Sequence, residues 1–453
     1  MKDKLLIMLM LGLCLCVQAQ TPYTLEQCLD SARANNIKLK NAALDIQMAG
    51  EQKSEAYTKY FPEISLSATA FHAFDKLIKG DGTYPEELAA FEPNMPGISQ
   101  MVGQPFDFAE LNRGYNVSLS VMQPLYAGGQ ISTANKLANL QKDVMQLQLQ
   151  LKEKDIVEKV TENYWQIAQL KYNLQTLNAA DRQVQAVLEQ VDQFVKAGIT
   201  TSNDLLKVQL RQHELRSNRL KVENGIRVLS MLLTQQCGIT SAFDIYLPES
   251  TDIQFVEMAD ASTAATMRQE YELATKNVEA QTLQVKMERG KHLPTVAVGV
   301  MGMNMGMGGL SENVRRYADT NITNGLALAT VSIPISSWWG GSHAIRRQKM
   351  KAQQAENDRQ EALQMLTIDI ESAWSNLQEA QQQVAVAESA VKQSEENLRQ
   401  SNARYAAGTE DLTDLLDAET LHRQSQNNLS SAFASYQIAM IKYKLKVIAI
   451  EYR

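Results

Sequence analysis

Beyond its first 19 residues the sequence has no run of the 18 or so consecutive apolar residues that a membrane-spanning helix requires. Clustered Lys and Arg are missing too. With a formal charge of −7 and a pI near 5.5, the chain offers no phosphate-binding surface, and no nucleic-acid partner is expected. Aromatic residues are only 6% against 44% apolar overall, a mixture that suits long coiled helices better than a thick globular core. His72, His213, His292, His343 and His422 lack ligand spacing, so no zinc site is expected. No nucleophile elbow, phosphate loop or paired catalytic carboxylates can be found, and the expectation is neither an enzyme nor a cofactor binder. Proline is absent from Leu125 to Leu247 and again after Pro334, which permits uninterrupted helix in both stretches.

Cysteine is scarce, and half of it lies in the leader. Lys2 and Lys4 precede the apolar run Leu5–Val17, and Val17-Gln18-Ala19 has the small or apolar residues that a signal peptidase reads, so residues 1–19 are expected to be a secretory signal. Acylation at Cys14 or Cys16 is disfavoured, because leucine stands before each where a small residue is usual. The mature chain would keep Cys28 and Cys237, which can pair or stay free but make neither a disulfide scaffold nor a metal site.

What the sequence does have is a turn that occurs twice. Val195-Lys196-Ala197-Gly198 leads through Ser and Thr to Asp204-Leu205-Leu206, and Tyr405-Ala406-Ala407-Gly408 leads to Asp414-Leu415-Leu416. Glycine suits the left-handed position that closes a helix, and Ser, Thr and Asp accept from the free N–H groups that open the next. Each copy reads as the tip of an antiparallel helical hairpin, so the chain is a duplication. Heptads flank both tips: Leu170, Leu177, Val184 and Val191 before the first, and Leu363, Ile370, Leu377, Val384, Val391, Leu398 and Tyr405 before the second. The partners of the latter, Leu366, Ala373, Ala380, Ala387, Ser394, Ser401 and Gly408, are mostly small, as suits a closely packed coiled-coil wall.

Each half also carries two alternating stretches. Glu63–Phe71 and Tyr115–Met122 interleave apolar and polar residues in the first, bracketing an acidic, proline-bearing stretch from Asp75 to Asn112 that reads as a long exposed loop. Thr295–Met305 and Leu326–Ile335 form the second pair. Helices that end before Pro62 and Pro294 precede the two pairs. The first of these helices begins at Thr24, with Gln27 placed for a capping box. Four strands of membrane-spanning length cannot close a barrel, and an open edge in lipid leaves backbone groups unpaired, so the chain must oligomerise.

The duplication, the exit Gln123-Pro124-Leu125-Tyr126-Ala127-Gly128-Gly129 and the two Gly-x5-Asp-Leu-Leu tips resemble the TolC-like outer-membrane efflux proteins over nearly the whole mature chain. That resemblance implies a mainly helical chain with a transmembrane β-barrel. Each protomer would give four strands to a shared twelve-stranded barrel in outer-membrane lipid, carrying a long antiparallel coiled-coil tube in the periplasm. It implies a homotrimer, docked by a periplasmic adaptor and an inner-membrane pump, that conducts substrate passively to the exterior. The rival reading is an exported coiled-coil scaffold without channel activity. The expected parts are the leader at 1–19, a periplasmic helix at 20–61, a strand pair with its external loop at 62–124, a hairpin at 125–247 and a link at 248–265. The second repeat follows as a helix at 266–293, a strand pair at 294–335 and a hairpin at 336–453.

Carried over residue by residue, the resemblance makes Tyr405 the partner of Asp204 in a bond that helps to hold the tube shut, and Asp414 and Asp417 a ring at its constriction. The family's locking arginine is replaced by Glu410, which leaves a more acidic mouth. Helix capping is the plainer role for these aspartates. Tyr126, Trp338 and Trp339, where strands meet helices, suit an interfacial aromatic belt or ordinary packing at a kink. Met301, Met303, Met305 and Met307 alternate with small residues; a soft-metal path is conceivable, but a flexible apolar strand end facing lipid is the favoured reading.

Overall fold

The computed structural model describes residues 22–74, 81–83, 105–107, 111–239, 244–248, 253, 256–309 and 320–447. The expected leader with Cys14 and Cys16 lies outside them, as do most of the acidic loop and part of the 248–265 link. In chain order come helices α1 (Leu25–Asn35) and α2 (Ile37–Thr58), then strands β1 (Glu63–His72), β2 (Asp81–Thr83), β3 (Pro105–Asp107) and β4 (Leu111–Ala127). Helices α3 (Gln130–Lys196), α4 (Ser202–Cys237), α5 (Ala261–Thr266) and α6 (Gln269–Gly290) follow, then strands β5 (Thr295–Gly309) and β6 (Thr320–Ser332), and helices α7 (Ser337–Ala406) and α8 (Leu412–Val447). The chain divides into two compact units, one of residues 1–49, 141–279 and 353–453 and one of 50–140 and 280–352.

The first unit is helical, and its seams are the heptads. Ile370, Ala373, Leu377, Ala380, Val384 and Ala387 of α7 are buried together, as are Leu177, Ala180, Val184, Val187 and Val191 of α3. Val208, Leu215 and Val222 of α4 recur every seven residues in the same cluster as the α3 group. Burying a valine or leucine contributes roughly 1.5–3 kcal/mol, so these rows hold the helices where propensity alone would not. The α1 start is a capping box: the Thr24 hydroxyl accepts from Gln27 N–H at 3.3 Å, and Gln27 Oε1 accepts from Thr24 N–H at 3.0 Å. Within the stretch expected to link the two repeats, Asp260 caps the short helix α5, accepting from Thr263 N–H at 3.2 Å.

The second unit is built on an antiparallel sheet of order β1-β4-β5-β6. The two central strands come from different repeats, and β1 and β6 form its edges. In the first strand pair the alternation sorts cleanly. Ile64, Leu66 and Ala68 face Val121, Leu119 and Val117 on one side, while on the other the Ser65–Ser120 and Ser67–Ser118 hydroxyls are hydrogen-bonded at 2.7 Å. Pro124, which has no N–H to give the ladder, is accommodated at a register shift between Pro124 and Tyr126, and β4 continues to Ala127.

The methionine run takes its face from its register. Met301, Met303 and Met305 lie opposite Ser120, Ser118 and Asn116, so they share the serine side and not the side of Ile64 and Leu66. On the Ile64 side the second pair supplies Val300 and Ala327 and then Gly302, Gly325, Asn304 and Thr323, with Asn304 bonded to Thr323 at 2.8 Å. A strand's face is set by its register with its neighbour. Composition within β5 therefore could not reveal which side the methionines share. The Met307 side chain lies outside those described.

Candidate functional site

Both tips lie in the helical unit and share one backbone. At the first, Gly198 has φ +72°, its N–H bonds to Val195 O at 3.0 Å and Ile199 N–H to Phe194 O at 2.9 Å. At the second, Gly408 has φ +72°, with Gly408 N–H to Tyr405 O and Thr409 N–H to Arg404 O, both at 3.0 Å. Each glycine takes the left-handed conformation that lets two orphan carbonyls be satisfied, which explains Ala-Gly at both ends.

The side chains differ. Thr201 caps α4, its hydroxyl accepting from Asp204 N–H at 3.4 Å. Asp204 itself caps nothing: its carboxylate accepts from the Thr200 hydroxyl at 2.7 Å, the Thr201 hydroxyl at 2.9 Å and Lys207 Nζ at 3.1 Å. The Thr200 bond first, then Lys207 and Thr201, hold its pKa down at about 2. Tyr405 makes no hydrogen bond to it among the described residues. Burial first, and then the charges of Asp204 and Asp411, raise the Tyr405 phenol above its ordinary value. The link between these two residues is thus through space.

At the second tip Asp411 accepts from Thr413 N–H at 3.2 Å. Asp414 stands in the first turn of α8, where the helix dipole favours an anion, and Asp417 lies one turn on; both are exposed. Glu410 folds back onto its own hairpin, with Oε1 accepting from Ser401 at 2.8 Å and Oε2 3.7 Å from Arg404 Nε. That placement holds its side chain within the second-repeat hairpin. Leu415 is buried, Leu205 and Leu416 are half-buried, and Leu206 is exposed.

Near the tips the hairpins share an apolar cluster that includes Val191, Val208, Leu412 and Leu415, and polar contacts join them as well. Lys207 Nζ reaches Thr413 Oγ1 at 3.4 Å. Further in, Arg211 of α4 donates to Glu419 of α8 at 2.8 and 3.2 Å, and also to Thr420 and to Glu214 at 3.0 Å. The Arg211 side chain is 14% exposed and that of Glu419 5%. Burial alone would lower Arg211, but its bonds to Glu419 and Glu214 outweigh that and raise it. Arg423 lies 3.8 Å from the other Glu419 oxygen, and burial, followed by the charge of Arg211, lowers it. A cleft of about 470 Å³ opens beside this cluster, lined by Gln183, Arg399, His422 and Gln426. Sequence reading missed the pair because its members are 208 residues apart. One signal was available: Leu412, Glu419, Gln426, Phe433 and Met440 lie seven apart, and a carboxylate interrupts that row.

Of the aromatics placed between strands and helices, Tyr126 is exposed at the end of β4 and Trp339 in the first turn of α7, whereas the Trp338 side chain lies outside those described.

The chain matches the profile of a known family, described as outer membrane efflux protein, over residues 98–234 and 262–442. It is 20% identical over 439 residues to the outer membrane protein TolC of Salmonella enteritidis, covering 93% of this chain and 81% of that one. Its fold superposes on the outer membrane protein VceC of Vibrio cholerae with a TM-score of 0.73 at 16% identity, covering 93% of this chain and 95% of the other. For the CmeC outer membrane channel of Campylobacter jejuni the TM-score is 0.72 at 14% identity, covering 93% and 85%.

Proposed function

The chain belongs to the outer membrane efflux protein family and is an outer-membrane efflux channel, and from that premise we propose that three copies close a twelve-stranded barrel and form the passive exit duct of a tripartite efflux or type I secretion system. A periplasmic adaptor and an inner-membrane pump deliver the substrate. One observation carries the assembly: the four-stranded sheet ends in β1 and β6, each with one side unpaired among the described residues. In lipid every unpaired backbone group costs several kcal/mol, and a ring of strands removes both edges at once. Leu206, Leu210, Leu220 and Met231 add support, standing exposed on two adjacent seven-residue rows of α4 where a second copy can seat.

Within that duct the two tips form the periplasmic gate. Asp414 and Asp417, exposed and three residues apart, supply the carboxylates that three copies bring into a ring. Asp204 and Tyr405 brace the first tip against the second, and Arg211 with Glu419 holds the hairpins together behind them. The exposed Tyr126 and Trp339 meet the lipid headgroups.

Oligomer mass and planar-bilayer conductance, measured on one detergent-purified preparation, test the reading. A trimer with small, cation-selective currents is the expected outcome. A monomer or dimer that conducts nothing after reconstitution overturns it.

A further inference from the structure

Cys28 on α1 and Cys237, the last residue of α4, are 209 residues apart in the chain, and both are 0% exposed. Cys237 Sγ lies 3.4 Å from the Cys28 carbonyl oxygen, and the two side chains stand beside each other as free thiols in this structure. The backbone around them is fixed. A helix leaves its last carbonyls without partners, and here Asn36 Nδ2 donates to Gln236 O at 2.7 Å and Ser31 Oγ to Cys237 O at 3.2 Å. Gly238 closes α4 with φ +66°, and a Cβ on it would come within 2.7 Å of Asn35. Two separate segments are thus held where their sulfurs meet, inside a core with Ala32, Val160, Tyr164 and Leu233. No metal accounts for the meeting: among the described residues no group of three or more His, Cys, Asp or Glu could hold one.

We propose that Cys28 and Cys237 are joined by a disulfide in the exported protein, fastening α1 to the end of the first-repeat hairpin. An outer-membrane protein passes through the periplasm, an oxidising compartment. The thiolate of one cysteine attacks the disulfide of a thiol–disulfide oxidase to give a mixed disulfide, and the second cysteine displaces the oxidase sulfur. One S–S bond forms in this chain and one is lost in the oxidase, which leaves as a dithiol carrying the two electrons and two protons. The exchange takes place before the core closes. Once folded, both thiols are 0% exposed and out of an oxidase's reach. The bridge encloses the whole first repeat, strands and hairpin included.

The test counts thiols on the full-length protein. Cells are lysed directly into denaturant with excess alkylating agent, the chain is purified from the outer-membrane fraction, and labels are counted by mass spectrometry with and without prior reduction. The expected result is no label before reduction and two after, with the unreduced mass lower by two hydrogen atoms. Two labels without reductant overturn the proposal. As a second reading, the denatured, unreduced chain should migrate faster on a non-reducing gel than either the reduced chain or Cys28→Ser, because the bridge joins residues 209 apart; identical migration also overturns it.

Discussion

At the first tip, Gly198 is followed by an aspartate whose two oxygens are taken by Thr200, Thr201 and Lys207. At the second, Gly408 has the same φ of +72°, but Asp414 and Asp417 are exposed, without a hydrogen-bond or ion-pair partner among the described residues. Duplication preserved the backbone device and left the side chains free to diverge. One tip carries a carboxylate bound in place; the other carries two that remain available to whatever enters. The hairpins are tied to each other near the tips by Lys207 and Thr413 and, behind them, by the buried pair Arg211 and Glu419.

The largest effect should come from cutting that tie. Glu419→Ala leaves Arg211 and Arg423 buried without their shared counter-ion, at a cost of about 3–5 kcal/mol. Denaturant unfolding measures it, and a loss under about 1 kcal/mol, the range of a surface pair, would show that the tips are held by something else. Next come the turns: Gly198→Ala and Gly408→Ala should each cost about 1–2 kcal/mol. Nothing lies within 4 Å of a Cβ at either position, so backbone strain is the whole cost. Unequal losses would break the claim of a common backbone.

Asp204→Asn sharpens the contrast in acid behaviour. The pKa of Asp204 falls from its ordinary 3.8 to about 2 on folding, so its contribution is present above 3.8 and is lost as pH falls through about 2. The native protein should lose stability across that window and Asp204→Asn should lose less, as read from unfolding midpoints against pH. The smallest change in stability, within about 0.5 kcal/mol, is expected for Asp414→Asn combined with Asp417→Asn. Their effect should appear instead as weaker cation preference in bilayer recordings, and unchanged selectivity would remove the acidic ring from the gate.

Local rules carried much of the fold. Ala-Gly before Ser and Thr, the Thr24–Gln27 box and the heptads through Ile370, Leu377 and Val384 are read within a few turns of chain, and so were legible. The strands were legible as strands from their alternation. Which side Met301, Met303 and Met305 occupy was not, because register with β4 decides it and a shift of one residue reverses every side chain. At the site, the glycines and the acids could be found from sequence, but their states could not. Asp204 and Asp414 occupy equivalent places after their glycines, and only the surrounding hydroxyls and Lys207 distinguish the bound carboxylate from the free one. The Arg211–Glu419 pair joins the two halves of the duplication, and short-range patterns do not reach that far.

The open edges β1 and β6 have a genetic consequence. In the proposed ring each copy's first strand is completed by one neighbour and its last by another, so a copy that cannot pair along β1 deprives a sound partner as well as itself. A lesion confined to Glu63–His72 should therefore behave as dominant, spoiling mixed assemblies in a cell that also makes the intact chain. A lesion that prevents the chain from folding at all would remain recessive.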